Sequence, residues 1–544
     1  MKNLVKKTEN LYEEEARDDF DESFDMPSSP EDLHVPLPKE LLVKGIRYDS
    51  KEFLDKQKNR ILFVVPPGSV EENYGTMAAA ATELPWLGMA YVAAAAREAG
   101  NIVKVAEFEI QRGTWSDVAD SIKEFQPDII AMALFINNVD RCLKVAKVAK
   151  EIDSNIKIVM GGPQATIFPD QTISNKNVDF IVISEAEISF CALSANLNTD
   201  EIKNVKGIWY KDDEGKIIKN ERQPLIQDLD SLPAPALDLY PMKKYYPAVH
   251  VWGNKVANYV TSRGCPYECT FCEAKMTFGR TFRFHSPERI IEDLNNLNEK
   301  YGYDSFQFYD DIFTTNRKRT IQLCNAFIAN KQKYKWMVWT RTDRLDPELC
   351  QIMKKAGCYL IVFGCESGDQ HLLDFIKKGL TVEQNYKGIK IAHDAGLLTM
   401  SSFMLGLPES NEQRDMATIK FAMKSKLDYA IFPIFEPYPG TEIWKDSLER
   451  GYFVNSGKYT NYLLTNTSKI WVPNGTTRSN LENLSRLAFK KFFLRPKTVR
   501  VWLINLFNMP YKRILRFFWA GFFYLFIARN LEKVKKYRGR GSRY

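Results

Sequence analysis

"TSRGCPYECTFCEA" (residues 261–274) spaces three cysteines as C-x-x-x-C-x-x-C. A structural zinc site takes four ligands, usually as two close pairs. Cys265, Cys269 and Cys272 have no fourth thiol nearby, because the next one, Cys324, belongs to a downstream pattern that reads as an amphipathic helix. Three thiolates leave one coordination position for something other than protein. The stretch before them, "KVANYV" (255–260), reads as a strand, which puts the cysteine loop at a strand's carboxyl end.

Working outward, the pattern stays regular. "SPERIIEDLNNLNEKYG" reads as helix, "SFQFYDDIF" as strand and "RKRTIQLCNAFIANK" as helix, and the alternation continues to "YAIFPIFEPYPGT". Over residues 246–450 this predicts a partial, six-stranded relative of the (β/α) barrel, whose chemistry sits at strand C-termini. Polar residues stand at those ends: Asp310 and Asp311, Arg341 and Asp343, Glu366 and Ser367, then "GLPE" (406–409). Singly each suits a helix N-cap as well as a ligand contact. Their convergence on one face favours a site.

With Phe271 as the aromatic before its last cysteine, the loop resembles the signature of the radical SAM superfamily. The resemblance implies a [4Fe-4S] cluster held by Cys265, Cys269 and Cys272, its fourth iron binding the amino and carboxylate groups of S-adenosylmethionine. It further implies that Phe271 packs near the adenine and that Asp310 and Asp311 lie at the methionine amino group. Glu366 and Ser367 would lie at the ribose and carboxylate, and Gly406, in "FMLGLP", would back the adenine.

Upstream, residues 46–195 alternate apolar runs such as "ILFVVPP", "PDIIAMALF", "IKIVMGGP" and "VDFIVIS" with helical stretches. The expected fold is α/β: a doubly wound, Rossmann-like parallel sheet, with ligands beyond the carboxyl ends of its strands. No G-x-G-x-x-G follows the first strand, which argues against the usual dinucleotide site. Gly161 and Gly162 either admit a bulky ligand to the backbone or simply form a tight turn. The order "GGPQAT" then "DFIVISEAE" resembles the cobalamin-binding domain of radical SAM enzymes. That resemblance implies cobalamin contacts from Asn137, Gly161, Gly162, Gln164, Ser184 and Glu185. The family's Gly-Glu-x-Glu is here Ser184-Glu185-Ala186-Glu187, and no D-x-H-x-x-G follows the first strand, which implies a base-off form without a histidine from that loop. A bulky residue at Gly162 is expected to block cobalamin and leave the fold intact.

Composition bounds the rest. A net charge of +7 over 544 residues makes no strong case for nucleic acid. Nine cysteines in no paired framework suggest a reducing, cytoplasmic setting. Those outside the cluster loop read as core residues, Cys365 included. His285 reads as a solvated loop residue. Residues 1–45 are acidic and expected to be disordered, and 196–245 read as a linker with a hairpin turning at Asp212–Gly215. Residues 451–544 read as a helical region with a basic tail. Its longest uncharged apolar run, Phe517–Ala528, has 12 residues, short of the about 20 that span a bilayer. Two readings stand for it: a helical cap over the barrel mouth, or an amphipathic segment resting peripherally on the anionic inner membrane surface. One face could also pack inward while the rest meets lipid.

The expected activity is reductive cleavage of S-adenosylmethionine to a 5′-deoxyadenosyl radical, driven by a flavodoxin- or ferredoxin-class donor. The expected outcome is cobalamin-dependent methylation of an unactivated carbon on a small, hydrophobic substrate. The alternative is oxidative cyclisation or rearrangement of a tetrapyrrole- or lipid-like substrate, as in the anaerobic magnesium-protoporphyrin monomethyl ester cyclase group that the architecture also resembles. A non-enzymatic cobalamin or redox sensor would not need the polar set at the barrel strand ends.

Overall fold

The computed structural model describes residues 42–43, 47–48, 50–56, 58–68, 82–248, 251–452, 472–473, 475–508, 511 and 514–515. The acidic N-terminal stretch up to residue 41, the apolar run Phe517–Ala528 and the basic tail lie outside them.

The first sheet has seven strands: β1 (Arg60–Val65), β2 (Ile102–Glu107), β3 (Ile129–Ala133), β4 (Lys157–Gly161), β5 (Phe180–Val182), β6 (Ile208–Lys211) and β7 (Ile217–Lys219). Their order is β2-β1-β3-β4-β5-β6-β7. The first five are parallel, and the hairpin β6–β7 extends the sheet antiparallel. Ile61 to Val65 are buried on both faces, as a parallel strand between helical layers requires. Phe63 and Val65 pack with Met89, Ala93 and Ala94 of α1 (Leu87–Glu98). Leu62 and Val64 share a core with Val118 of α2 (Trp115–Phe125) and Val145 of α3 (Val139–Ile152). Strand order reverses between β1 and β3, and such a switch point opens a crevice at the carboxyl edge.

The second sheet has six parallel strands in sequential order: β8 (Val256–Tyr259), β9 (Ser305–Phe308), β10 (Lys335–Thr340), β11 (Cys358–Glu366), β12 (Leu398–Phe403) and β13 (Tyr429–Ile431). Alternation divides their side chains. Phe306, Phe308 and Trp336 meet Leu294 of α5 (Pro287–Tyr301, introduced after α4, Glu187–Asn196) and Phe327 of α6 (Arg317–Ala329). Met337, Val362, Met400 and Tyr429 form a separate inner cluster. The apolar cluster beneath α1 continues without a break into the barrel wall, which joins the two domains.

The C-terminal helices close the barrel in an unexpected place. Helix α7 (Arg478–Phe493) covers the edge beyond β13, with Phe489 and Phe492 edge-on to Phe432 and the Ser485 hydroxyl donating to the Phe432 carbonyl at 2.7 Å. Helix α8 (Pro496–Asn508) seals the floor. Its Val501 joins the inner cluster, and Asn505 accepts from Trp252 Nε1 at 3.1 Å and donates to the Tyr429 hydroxyl at 2.7 Å. Tyr429 begins β13 and Trp252 precedes β8, so the cap sits at the amino ends of the strands and not over the mouth. The mouth stays open toward the first domain. Truncating Phe492, which is fully buried, to Ala should cost about 3–5 kcal/mol, seen as a lower denaturation midpoint of the full-length protein.

Candidate active site

The cysteine loop leaves β8 through a tight turn. Gly264 has φ +89°, and a Cβ there would lie 2.3 Å from the Thr281 carbonyl oxygen, so only glycine fits. Ser262–Arg263 pair antiparallel with Arg283–Phe284 and close the loop's base. Asp310, at the end of β9, accepts from the Thr261 amide at 2.6 Å and the Ser262 hydroxyl at 2.8 Å, and also bonds the Thr261 hydroxyl. Its carboxylate is therefore spent on holding the strand that enters the loop. On the far side, the Thr270 amide donates to the Ile376 carbonyl at 3.0 Å and the Thr270 carbonyl accepts from the Ile443 amide at 3.1 Å. Tyr267 lies beneath the Arg341 guanidinium, 3.8 Å from its ring centroid.

All three cysteines are free thiols, Cys269 buried and Cys265 and Cys272 half-buried. Burial pushes the Cys272 thiol up to about 12 and raises Cys265 as well. Neutral thiols in such a place ionise only when a cation takes the proton's position. Among the described residues no three His, Cys, Asp or Glu side chains converge on one metal ion. An iron–sulfur cube does not ask for that, since each thiolate binds a different iron. Three free thiols on a loop fixed at both ends fit the cluster's donor set.

Behind the loop lies a buried pair that sequence patterning missed. Lys378 donates to Glu366 at 3.0 Å and sits 5.8 Å from the Phe271 ring centroid. Burial opposes its charge, but Glu366 and the neighbouring Cys269 outweigh that and raise the ammonium pKa. Glu366 itself has φ +62° at a register shift in β11, a strained position that re-aims its side chain. Ser367 is fully buried and bonds the Thr418 hydroxyl at 2.9 Å. Gly406 packs beneath Leu481 of α7 and donates its amide to Asp415 at 3.3 Å. Of the residues predicted for S-adenosylmethionine, Asp311 is the one that lines the cavity between the domains. Its side chain is exposed to that cleft, and desolvation there, with Asp310 beside it, pushes its carboxyl up to about 6.

That cavity has a volume of about 840 Å³. The carboxyl edges of the two sheets face each other across it. Asn137, Gly161, Gly162, Ser184 and Glu185 line one wall, and Cys272, Glu273 and Asp311 line the other. Gln164 is buried beneath the glycine turn and does not line it. Gly162 answers to more than a ligand: at φ +89°, a Cβ there would stand 2.9 Å from the Leu134 carbonyl oxygen. A bulky residue at 162 would therefore disturb the fold, contrary to the sequence-based expectation. At Gly161 a Cβ meets nothing closer than 3.7 Å.

Glu185 and Glu187 belong to a buried ion network. Arg283 Nη1 donates to both Glu185 oxygens at 2.8 Å, and Arg263 bridges Glu185 at 3.2 Å and Glu187 at 2.7 Å. Arg263 lay inside the first motif read, yet nothing local marks its partners as residues 76 and 78 positions away. Ser184 adopts φ +68°, a conformation glycine takes freely, and its hydroxyl donates to the Thr277 carbonyl at 2.7 Å. His285 is buried, not solvated: burial lowers its imidazole pKa although Asp230 lies 3.0 Å from Nδ1. Cys365 is a core residue whose thiol burial pushes up to about 12.

Two facing strand edges, a cysteine loop and a glycine bed define a two-domain cofactor enzyme, and the comparisons agree. The chain matches the B12 binding domain over residues 75–194 and the Radical SAM superfamily over residues 259–422. An uncharacterized methyltransferase of Pyrococcus horikoshii is 35% identical over 446 residues, covering 81% of this chain and 94% of that protein. The anaerobic magnesium-protoporphyrin IX monomethyl ester cyclase of Cereibacter sphaeroides is 28% identical, covering 70% of this chain and 62% of that protein. The solved structure of the radical S-adenosylmethionine methyltransferase TsrM from Kitasatospora setae shares the fold, with a TM-score of 0.62 at 13% identity over 88% of this chain and 99% of that one. The chain belongs to the radical SAM family that carries a cobalamin-binding domain. It is an enzyme of the radical SAM methyltransferase type, and its cofactors are those of its two domains: a [4Fe-4S] cluster, S-adenosylmethionine and cobalamin.

The two glycines separate fold from ligand. Gly162→Ala should lose about 1–3 kcal/mol of stability through strain and contact with Leu134. Gly161→Ala should denature as wild type, and any weakening of hydroxocobalamin binding in a visible-absorbance titration then reports the ligand alone.

Proposed function

We propose that this protein uses S-adenosylmethionine and cobalamin in the cavity between its sheets to methylate an unactivated carbon of a small substrate. One observation carries the reading: a single cavity is lined both by the glycine bed of the first domain and by Cys272 and Asp311 of the second. When bound, the cofactors supply an electron, a 5′-deoxyadenosyl radical and a methyl group. The chain's own part is positioning and exclusion of water. Cys265, Cys269 and Cys272 would hold the cluster, and Gly161, Gly162 and Asn137 would bed the cobalamin. Asp311, which lines the cavity, would meet the methionine amino group, and Phe271 would pack near the adenine. Asp310, through Thr261 and Ser262, keeps the loop in register with β9. Trp86 and Phe135, packed edge-on at 5.1 Å, and Tyr309, stacked on Trp339 at 4.5 Å, make the cavity walls aromatic, which suits a substrate with an apolar body.

Anaerobically reconstituted protein should carry about four irons and release 5′-deoxyadenosine on reduction by a flavodoxin- or ferredoxin-class donor. Cys269→Ala should abolish both, and a fully active Cys269→Ala enzyme would sink the reading. A substrate that gains one methyl mass from labelled S-adenosylmethionine marks methylation, whereas a product with no added carbon marks the cyclising outcome that the cyclase relative performs.

The floor helix supports a peripheral membrane contact. Val501 and Asn505 face inward, while Leu503 is 54% and Phe507 87% exposed, and Tyr511 and Leu515 continue the exposed positions at four-residue spacing. Basic residues from Arg513 to Lys536 flank the apolar run that follows in sequence. Each basic residue near an anionic surface contributes about 1 kcal/mol, screened beyond about 8 Å at physiological ionic strength. Among the described residues no helix is long and apolar enough to cross a membrane. The full-length protein should sediment with anionic liposomes at low salt and be released by high salt, and deletion of residues 512–544 should abolish sedimentation. Protein left in the supernatant at low salt overturns the contact.

A further inference from the structure

Glu273 directly follows the last cysteine of the cluster loop and stands half-buried on the cavity wall. Its carboxylate makes no hydrogen bond and no ion pair among the described residues, and it does not cap the short helix Ala274–Phe278 that it precedes. The cations closest to it in sequence are engaged elsewhere, Lys275 with Glu442 at 2.7 Å and Arg280 with Glu268. The Tyr438 phenol feels its charge through space without bonding it. Desolvation pushes the Glu273 carboxyl up to about 6, with no cation beside it to draw it back down.

The short helix fixes where this carboxylate stands. Glu273 has helical backbone angles, φ −85° and ψ −14°, so its side chain lies one turn before Thr277 on the same face, about 6 Å away. The Thr277 carbonyl accepts the Ser184 hydroxyl at 2.7 Å, and Ser184 stands just past β5 at the carboxyl edge of the first sheet. The same helix packs against Pro163–Ile167, the helical turn that leaves the Gly161–Gly162 pair. Glu273 is therefore held between Cys272 on one side and the glycine bed on the other. A desolvated carboxylate facing a cavity is satisfied when a ligand brings it a donor. The cofactor of the glycine-bed domain is cobalamin, and the rim of its corrin carries primary carboxamides, whose N–H groups donate.

We propose that Glu273 is a cobalamin contact supplied by the barrel domain, its carboxylate accepting an N–H from a carboxamide on the corrin rim. The residue next to a cluster cysteine then also holds the corrin in front of the cluster. The proposal rests on the reading above that cobalamin lies on the Gly161–Gly162 bed, and it adds a contact from the opposite wall. Glu273 binds and positions, and it moves no proton. A hydrogen bond to an ionised acceptor is about twice as strong as one between neutral groups, so this single contact is large enough to measure.

The test uses the full-length, cluster-reconstituted protein in anaerobic equilibrium dialysis against two corrinoids, hydroxocobalamin and diaquacobinamide. The second keeps the corrin carboxamides but lacks the nucleotide tail. Glu273→Ala should weaken both by about ten- to a hundredfold. Glu273→Gln keeps an acceptor oxygen without the charge and should lose several-fold. Because the carboxylate bonds nothing in the protein, the denaturation midpoint of cobalamin-free Glu273→Gln should not fall below wild type, and S-adenosylmethionine affinity should be unchanged in both variants. A lowered midpoint in Glu273→Gln would show a structural role and overturn the proposal. So would a loss confined to hydroxocobalamin, which would place the contact on the nucleotide tail, or a loss of S-adenosylmethionine binding in its place. Wild-type binding of both corrinoids beside equal binding by Glu273→Ala counts against this contact alone, whereas a wild-type protein that binds neither overturns the contact and the cobalamin bed together.

Discussion

The rest of the structure depends on four buried charges. Glu185 and Glu187 leave the carboxyl end of the first sheet, and Arg263 and Arg283 stand on the two strands at the base of the cysteine loop. Taking such groups out of water is costly, and only matched charge with well-directed hydrogen bonds offsets it. Here the count is balanced. Glu185 also accepts from the Ile226 amide at 2.8 Å, Arg283 donates to the Ile226 carbonyl at 2.8 Å, and Arg263 lies over the Tyr91 ring. The network ties the cysteine loop, the sheet domain and the connecting segment to one point. The width of the cavity between the two strand edges follows from it.

Most polar residues at the barrel strand ends serve that framework. Asp310 is consumed by Thr261 and Ser262, Ser367 by Thr418, and Arg341 by Asp343 and the Lys378 carbonyl. Asp311 is the one whose carboxyl faces the cavity. Such a division is physically sensible, because a reactive site needs its loops held rigidly by groups that the ligand does not disturb. The left-handed conformations of Ser184, just after β5 of the first sheet, and Glu366, at the end of β11 in the barrel, sit where surrounding contacts are dense enough to hold a strained backbone.

The barrel's closure also bears on function. With α8 on the floor and α7 along the open edge, the mouth is left to the first domain. One helix then serves two surfaces: Val501 and Asn505 complete the barrel interior, while Phe507 stands in solvent.

The sequence by itself determined the two sheets, their order and the cluster loop. Strand and helix periodicities are local properties of the chain, and the C-x-x-x-C-x-x-C spacing places three thiols within eight residues whatever surrounds them. The glycine turn after β4 and the hairpin at Asp212–Gly215 were legible for the same reason. What local pattern could not show was pairing across long separations. The partners of Glu185, the Glu366–Lys378 pair, the burial of His285 and the seating of α8 on the floor all join residues that no short-range rule connects. Tertiary structure decided these matters because burial and hydrogen-bond satisfaction belong to the packed whole and not to any segment of it.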